Sequence, residues 1–300
     1  MNATVRLLES AVPASVELEV EVPETHPSAP LLGTNRHGSG VFFDPLGLIL
    51  TANYVTLGAR SIVVHTVDQR RWSGQRLVQD FQTGLAIVAI EESGRFPALS
   101  LRPSAGLQPG EAIFVLSATE ENGRRVHDGV VSAIEPFDAY WEYRLPRAIF
   151  TTAPNPGFGG GALIDRRGEV RAIVLLELAQ IGRFTLAAPV DELVEHRDDI
   201  LRSRRPPHRK ARGWLGLFCY SVQDHVVIAG IIPRSPADVA GLKAGDVLLA
   251  VDDRVVHDRG QLYDELWRHG PGDRVELSVY RDKHVHRLIA QLGDAERFFA

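Results

Sequence analysis

Side chains able to do chemistry are thinly spread in this sequence of 300 residues. A single cysteine, Cys219, excludes an intramolecular disulfide and a cysteine-rich zinc site. The three lysines, Lys210, Lys243 and Lys283, leave the first 209 positions without a lysine base. Eleven histidines invite a metal reading. His284 and His286 stand two apart and His257 precedes Asp258, but no cluster has zinc-site spacing with enough ligands. Exposed or polar-face histidines are expected, with no metal. Asp252-Asp253 reads as the end of a strand in a turn. The run Asp138-Ala139-Tyr140-Trp141-Glu142-Tyr143 is an aromatic loop that either packs locally or presents a ligand-facing patch. No glycine-rich phosphate loop or dinucleotide fingerprint occurs, and no cofactor is expected.

The elements that would position these groups read as mostly β. Hydrophobic residues make up 44% and charged residues 24%, the balance of a folded globular chain. Twenty-seven glycines and 18 prolines favour many turns. The net charge of −5 argues against a globally basic nucleic-acid binder. Glu9, Glu17 and Glu19 interrupt the N-terminal apolar residues, so no signal peptide is read there, and no run reaches the ~20 apolar residues of a membrane helix. A cytoplasmic protein with no membrane partner is the expectation.

Residues 16–20 alternate apolar and acidic side chains, as a half-buried strand does. Residues 38–43 and 48–52 flank the turn signal Asp44-Pro45-Leu46-Gly47 and read as a hairpin. Compact apolar runs at 61–66, 85–90, 112–116 and 170–175 add strands, and strands at such spacing suggest a barrel or sandwich. Residues 190–201 read as one helix, with Val190, Leu193, Val194 and Leu201 at helical spacing. Residues 202–212 then change character: six of eleven are Arg or Lys, around Pro206-Pro207. This is read as an extended linker, either simply solvated or making an electrostatic contact with an acidic partner or nucleic acid. Beyond it, strands at 226–232, 247–251 and 275–280 and an amphipathic helix at 261–268 form a second, smaller unit.

The string Pro233-Arg234-Ser235-Pro236-Ala237-Asp238-Val239-Ala240-Gly241-Leu242-Lys243-Ala244-Gly245-Asp246-Val247 describes a Ser-Pro-initiated helical turn ended by glycine, then a Gly-Asp turn into a strand. It resembles the core signature of a PDZ domain, a small β-barrel-like sheet with helices. Gly213-Trp214-Leu215-Gly216-Leu217 resembles the carboxylate-binding loop of bacterial protease-linked PDZ domains. The resemblance implies that N–H groups of this loop converge on a peptide's terminal carboxylate. The peptide would add as an edge strand along residues 217–221. Leu215, Leu217, Leu262 and Leu266 would line the pocket for its last side chain, or serve as ordinary core.

Four blocks in the first two hundred residues resemble HtrA/DegP-type serine proteases of the trypsin fold, a double β-barrel. They are Gly38-Ser39-Gly40-Val41 with Thr51-Ala52-Asn53-Tyr54, then Asp80-Phe81-Gln82-Thr83-Gly84-Leu85, then Gly129-Val130-Val131-Ser132, then Asn155-Pro156-Gly157-Phe158-Gly159-Gly160-Gly161. The resemblance places the family's catalytic histidine, aspartate and serine at Tyr54, Gly84 and Gly159. Glycine has no hydroxyl to attack with, and a phenol does not replace an imidazole base near neutral pH. No Ser, Cys or Lys lies between Phe150 and Phe184, and no His between His37 and His65. Backbone at Gly157, Phe158 and Gly159 would survive as an oxyanion-hole-like site.

The expectation is therefore a protease-fold domain at 1–201, a basic linker at 202–212 and a PDZ domain at 213–300. Its function is read as a non-catalytic serine-protease homologue, an adaptor, chaperone-like binder or regulator that binds peptides or protein C-termini. An active serine-type endopeptidase with non-standard catalytic residues is one alternative. A structural oligomer subunit is another, and the resemblance implies a trimer.

Overall fold

The computed structural model describes residues 3–178 and 184–300. The chain divides into two compact units, Met1–Pro136 with Leu145–Pro207, and Phe137–Arg144 with His208–Ala300. A short helix, α1 (Ala3–Ala11), opens the first unit. Two closed six-stranded barrels follow. The first takes β1 (Ser15–Glu21), β2 (Asn35–Asp44), β3 (Leu48–Ala52), β4 (Ser61–His65), β5 (Arg71–Gln79) and β6 (Leu85–Ile90), in the order β1-β2-β3-β6-β5-β4. The second takes β7 (Ala112–Thr119), β8 (Gly123–Asp138), β9 (Arg144–Thr151), β10 (Ala162–Asp165), β11 (Val170–Leu178) and β12 (Phe184–Pro189), in the order β10-β11-β12-β9-β8-β7.

The period-two pattern explains the first barrel. Val16, Leu18 and Val20 on β1 turn inward with Phe42, Ile49 and Val88, all buried. Glu17 and Glu19 face the other way and meet His37 and His65, each at 3.0 Å, across the neighbouring strands. The hairpin closes as its turn chemistry requires: Gly47 has φ +96° and its N–H donates to Asp44 O. Barrel closure leaves no edge exposed. The second barrel packs Leu107, Ile113, Val115, Ile149, Leu163 and Val174 inside.

Two helices, α2 (Ala29–Leu32) and α3 (Asn53–Thr56), sit in the connections of the first barrel. The single helix expected at 190–201 is two, α4 (Asp191–Glu195) and α5 (Arg197–Ser203). His196 leaves helical geometry at φ −114°, and the break brings Ile200 into the interior beside the buried Leu193.

The second unit is a sheet ordered β13 (Leu217–Val222), β14 (His225–Ile231), β15 (Val247–Val251), β17 (Arg274–Arg281), β18 (His284–Gln291), with β16 (Arg254–Val255) on β15. Helices α6 (Pro236–Val239), α7 (Arg259–Leu266) and α8 (Ala295–Phe298) complete it. Ser235 caps α6 by accepting from Asp238 N, and Asp258 caps α7 by accepting from Gln261 N at 2.8 Å. The basic stretch touches this unit: Lys210 Nζ donates to Arg268 O at 2.9 Å, and the Arg212 guanidinium lies over the Trp267 ring.

Candidate functional site

The three positions singled out in the first unit come together. Strand β3 delivers α3, and with it Tyr54, to the wall of β11, where Tyr54 Oη donates to Leu175 O at 3.0 Å. Burial pushes this phenol up to about 12, so it stays protonated at neutral pH. A Cβ built on Gly159 would overlap Tyr54 Oη, so the phenol fills the space of a side chain at 159. Gly84 adjoins from the β5–β6 turn at φ +74°, and its carbonyl accepts from Asn53 N at 2.8 Å.

The glycine-rich run after residue 155 is threaded tightly between the barrels. Phe158 N–H donates to Ala118 O at 2.9 Å, so that amide serves the fold, and its ring packs on His37. Ser39 links both walls: its N–H donates to Gly159 O, its hydroxyl to Phe158 O, and its oxygen accepts from Ala118 N. A Cβ at Gly160, φ +90°, would overlap Ser39 O and Thr51 Oγ1. Ser117 Oγ donates to Asn155 Oδ1 at 2.7 Å. Ser39, Thr51 and Ser117 are all fully buried. His26 Nδ1 lies 2.7 Å from Ser28 Oγ, but that hydroxyl is buried and also accepts from Arg36 Nη2. Among the described residues no group of three or more His, Cys, Asp or Glu is placed to hold a metal ion.

In the second unit the loop before β13 forms a carboxylate site. Gly216 at φ +82° turns the backbone, and a Cβ there would overlap Ser235 Cβ, which makes glycine the residue that fits. Leu215 N, Gly216 N and Leu217 N point to one place and donate at 2.8, 2.6 and 3.0 Å. What they hold is the side-chain carboxylate of Glu142. Burial pushes that carboxyl up to about 7, against the three amide donors, which favour its ionised form. Of the other expected loop residues, Gly213 N donates to His269 O and Trp214 N to Gly293 O, so these two amides serve the fold. Leu215, Leu217, Leu262 and Leu266 are all 0–1% exposed in the unit's core.

Tyr263 on α7 completes the site. Its hydroxyl donates to Ala139 O at 2.6 Å and accepts from Glu142 N at 2.9 Å, with Cys219 Sγ 3.9 Å away. Burial raises both groups, the Cys219 thiol to about 12, so neither titrates near neutrality. Sequence reasoning missed Glu142 and Tyr263 as site residues. The aromatic loop around residue 142 was the available signal.

Comparison with known proteins follows this division. Residues 38–173 match the model of the trypsin-like peptidase domain and residues 213–292 that of the PDZ domain. The chain is a trypsin-like domain followed by a PDZ domain, and in that arrangement it is similar to HtrA-type serine proteases. A DegP-like periplasmic serine endoprotease of Halomonas elongata is 30% identical over 86% of this chain and 56% of its own length. The serine protease HhoA of Synechocystis is 28% identical over 85% of this chain and 70% of its own length. The HtrA-type protease AlgW, solved with a tripeptide, superposes with a TM-score of 0.58 at 26% identity, covering 98% of this chain and 97% of that one. The chain thus spans 56% of the length of the Halomonas relative.

Two expectations are overturned by these similarities. A non-enzyme was expected from Tyr54, Gly84 and Gly159, whereas the curated relatives are named serine proteases and the structural neighbour an HtrA-type protease. Side-chain identity at three positions is a narrower observation than similarity over most of the chain. A cytoplasmic protein was expected from the acidic N-terminal residues, whereas the Halomonas relative and a Haemophilus influenzae one are named periplasmic. That expectation leaned on the apolar run alone. Among the described residues no helix is long and apolar enough to cross a membrane.

Proposed function

We propose that this chain is a periplasmic serine-type endopeptidase of HtrA organisation that takes hold of polypeptides by a free carboxylate at its PDZ domain. One observation carries the recognition half: three consecutive amides, Leu215, Gly216 and Leu217, converge on a carboxylate. An added peptide would pair its backbone with β13, which gives affinity, while the amide nest supplies three donors to its terminal carboxyl oxygens.

The hydrolytic half is supported by the relatives' named activity and carries a chemical demand. Attack on a peptide carbonyl cannot start from a side chain at 159, because glycine has none, and it needs a base other than the Tyr54 phenol. Incubation of the purified chain with unfolded casein, read by mass spectrometry of new N-termini, tests it. Turnover that tracks with the chain through purification, together with fluorophosphonate labelling of one of its serines, supports the reading. Intact casein after saturation with carboxylate-terminated peptide overturns the endopeptidase half. Self-association is a further part of this reading, carried by the HtrA resemblance and measured by light scattering on the intact chain.

A further inference from the structure

The carboxylate site of the PDZ domain is filled by the chain itself. We infer that segment 137–144 is an internal ligand, that Glu142 stands in for a terminal carboxylate, and that polypeptide C-termini gain the site by displacing it. This rests on the carboxylate-recognition reading above.

The segment follows the geometry of an added strand before it departs from it. Cys219 N, on β13, donates to Tyr140 O at 2.8 Å, two residues before Glu142. The Tyr140 ring stacks on Tyr220 at 5.4 Å and packs against Phe218 at 5.8 Å. At Glu142 a peptide ligand would end. Here the main chain turns away at φ +55°, a conformation glutamate seldom adopts, and the side chain alone reaches the three amides. Both flanks are fastened. Arg144 pairs with Asp138 at one end of the segment and with Asp264 on α7, and donates to Gly260 O at 3.0 Å. Tyr263 Oη holds Ala139 O and Glu142 N together.

One set of three amide donors serves one carboxylate. Because Glu142 is covalently tethered, it competes at high effective concentration, and an incoming C-terminus binds only the fraction of molecules in which the segment has left. A merely structural anchor would make no such demand, since its removal would weaken the fold without tightening a ligand.

The test uses the full chain as wild type, Glu142→Gln and Glu142→Ala. Amide exchange followed by NMR reports occupancy without any peptide. A pool of random fluorescein-labelled hexapeptides, with free or amidated C-termini, reports affinity by polarisation. We expect exchange at residues 215–217 to quicken at least about tenfold in Glu142→Ala with α7 unchanged, and the free-carboxylate pool to bind that variant at least about tenfold tighter than wild type. Unchanged exchange at 215–217 in both variants overturns the internal ligand, as does equal affinity of wild type and both variants for the free pool. Quickened exchange with no binding of either pool leaves the internal ligand standing and overturns the recognition reading instead. Glu142→Gln keeps the side chain's size, so it decides the matter where the alanine variant is unfolded, the α7 amides reporting the fold.

Discussion

Tyr54 and Gly159 share one space: the phenol oxygen donates to Leu175 O and stands where a Cβ at 159 would fall. The pair is therefore coupled. Gly159→Ala should lower stability by about 1–3 kcal/mol through overpacking. Combined with Tyr54→Ala, the same change should be tolerated better than the sum of the single effects. Urea unfolding of the two single variants and the double variant measures the coupling. Strict additivity would contradict the geometry.

Arg36 organises the turn that carries Tyr54. Its guanidinium is buried, donates to Gly33 O, Tyr54 O, Leu57 O and Ser28 Oγ, and is lowered by burial to about 10. Lysine supplies charge without the planar fork. Arg36→Lys should cost about 2–3 kcal/mol, since several buried acceptors lose their donor at once. A change below about half a kcal/mol in denaturant melts would show that this network is dispensable.

The Asp246 carboxylate anchors the turn into β15, accepting from Lys243 N at 2.8 Å and from Arg281 Nε and Nη2, each at 2.6 Å. Burial is the largest single influence and works to raise its pKa, but the Arg281 hydrogen bonds, the Lys243 amide and the Arg281 and Lys243 charges together outweigh it and hold the carboxyl below the ordinary aspartate value. The stabilisation is thus complete above the unfolded value and is lost as pH falls through the lower folded one. Asp246→Asn should destabilise the PDZ unit by about 2–4 kcal/mol at neutral pH and flatten the acid limb of its stability curve. An unchanged acid limb would assign that limb to other carboxylates.

Glu142 gives the opposite sign. Its carboxyl is raised to about 7 when docked, so docking is most favourable below the ordinary glutamate range and weakens as pH rises through about 7. The facing Cys219 and Tyr263 are raised by burial, and Arg144 is raised by its hydrogen bonds to Asp138 and Asp264, so none of these three titrates there. Exchange at residues 215–217, corrected for intrinsic rate, should quicken from pH 5 to pH 8 in wild type and stay flat in Glu142→Gln. Equal profiles would remove Glu142 from the switch.

Local chemistry made much of the fold legible. The alternation in β1, the Asp44–Gly47 turn and the Ser-Pro start of α6 at Ser235 are short-range signals, and each appears where its residues predict. The break at His196 was hidden because the apolar spacing on either side stays nearly helical. The carboxylate loop was legible from Gly216, whose positive φ no other residue adopts as readily. Its occupant was not: Glu142 lies 73 residues before Leu215, and no local rule joins an aromatic turn in one barrel's connection to a distant amide nest. Nor does sequence show that Trp214 N and Phe158 N are taken by backbone carbonyls, because such partners are set by register.

The most direct check of the carboxylate site needs no peptide. Propionate titrated into the intact, isotope-labelled Glu142→Ala chain should shift the amide protons of Leu215, Gly216 and Leu217 saturably and together, while propionamide leaves them in place. Indifference of those three amides to propionate, or an equal response to propionamide, would contradict the account.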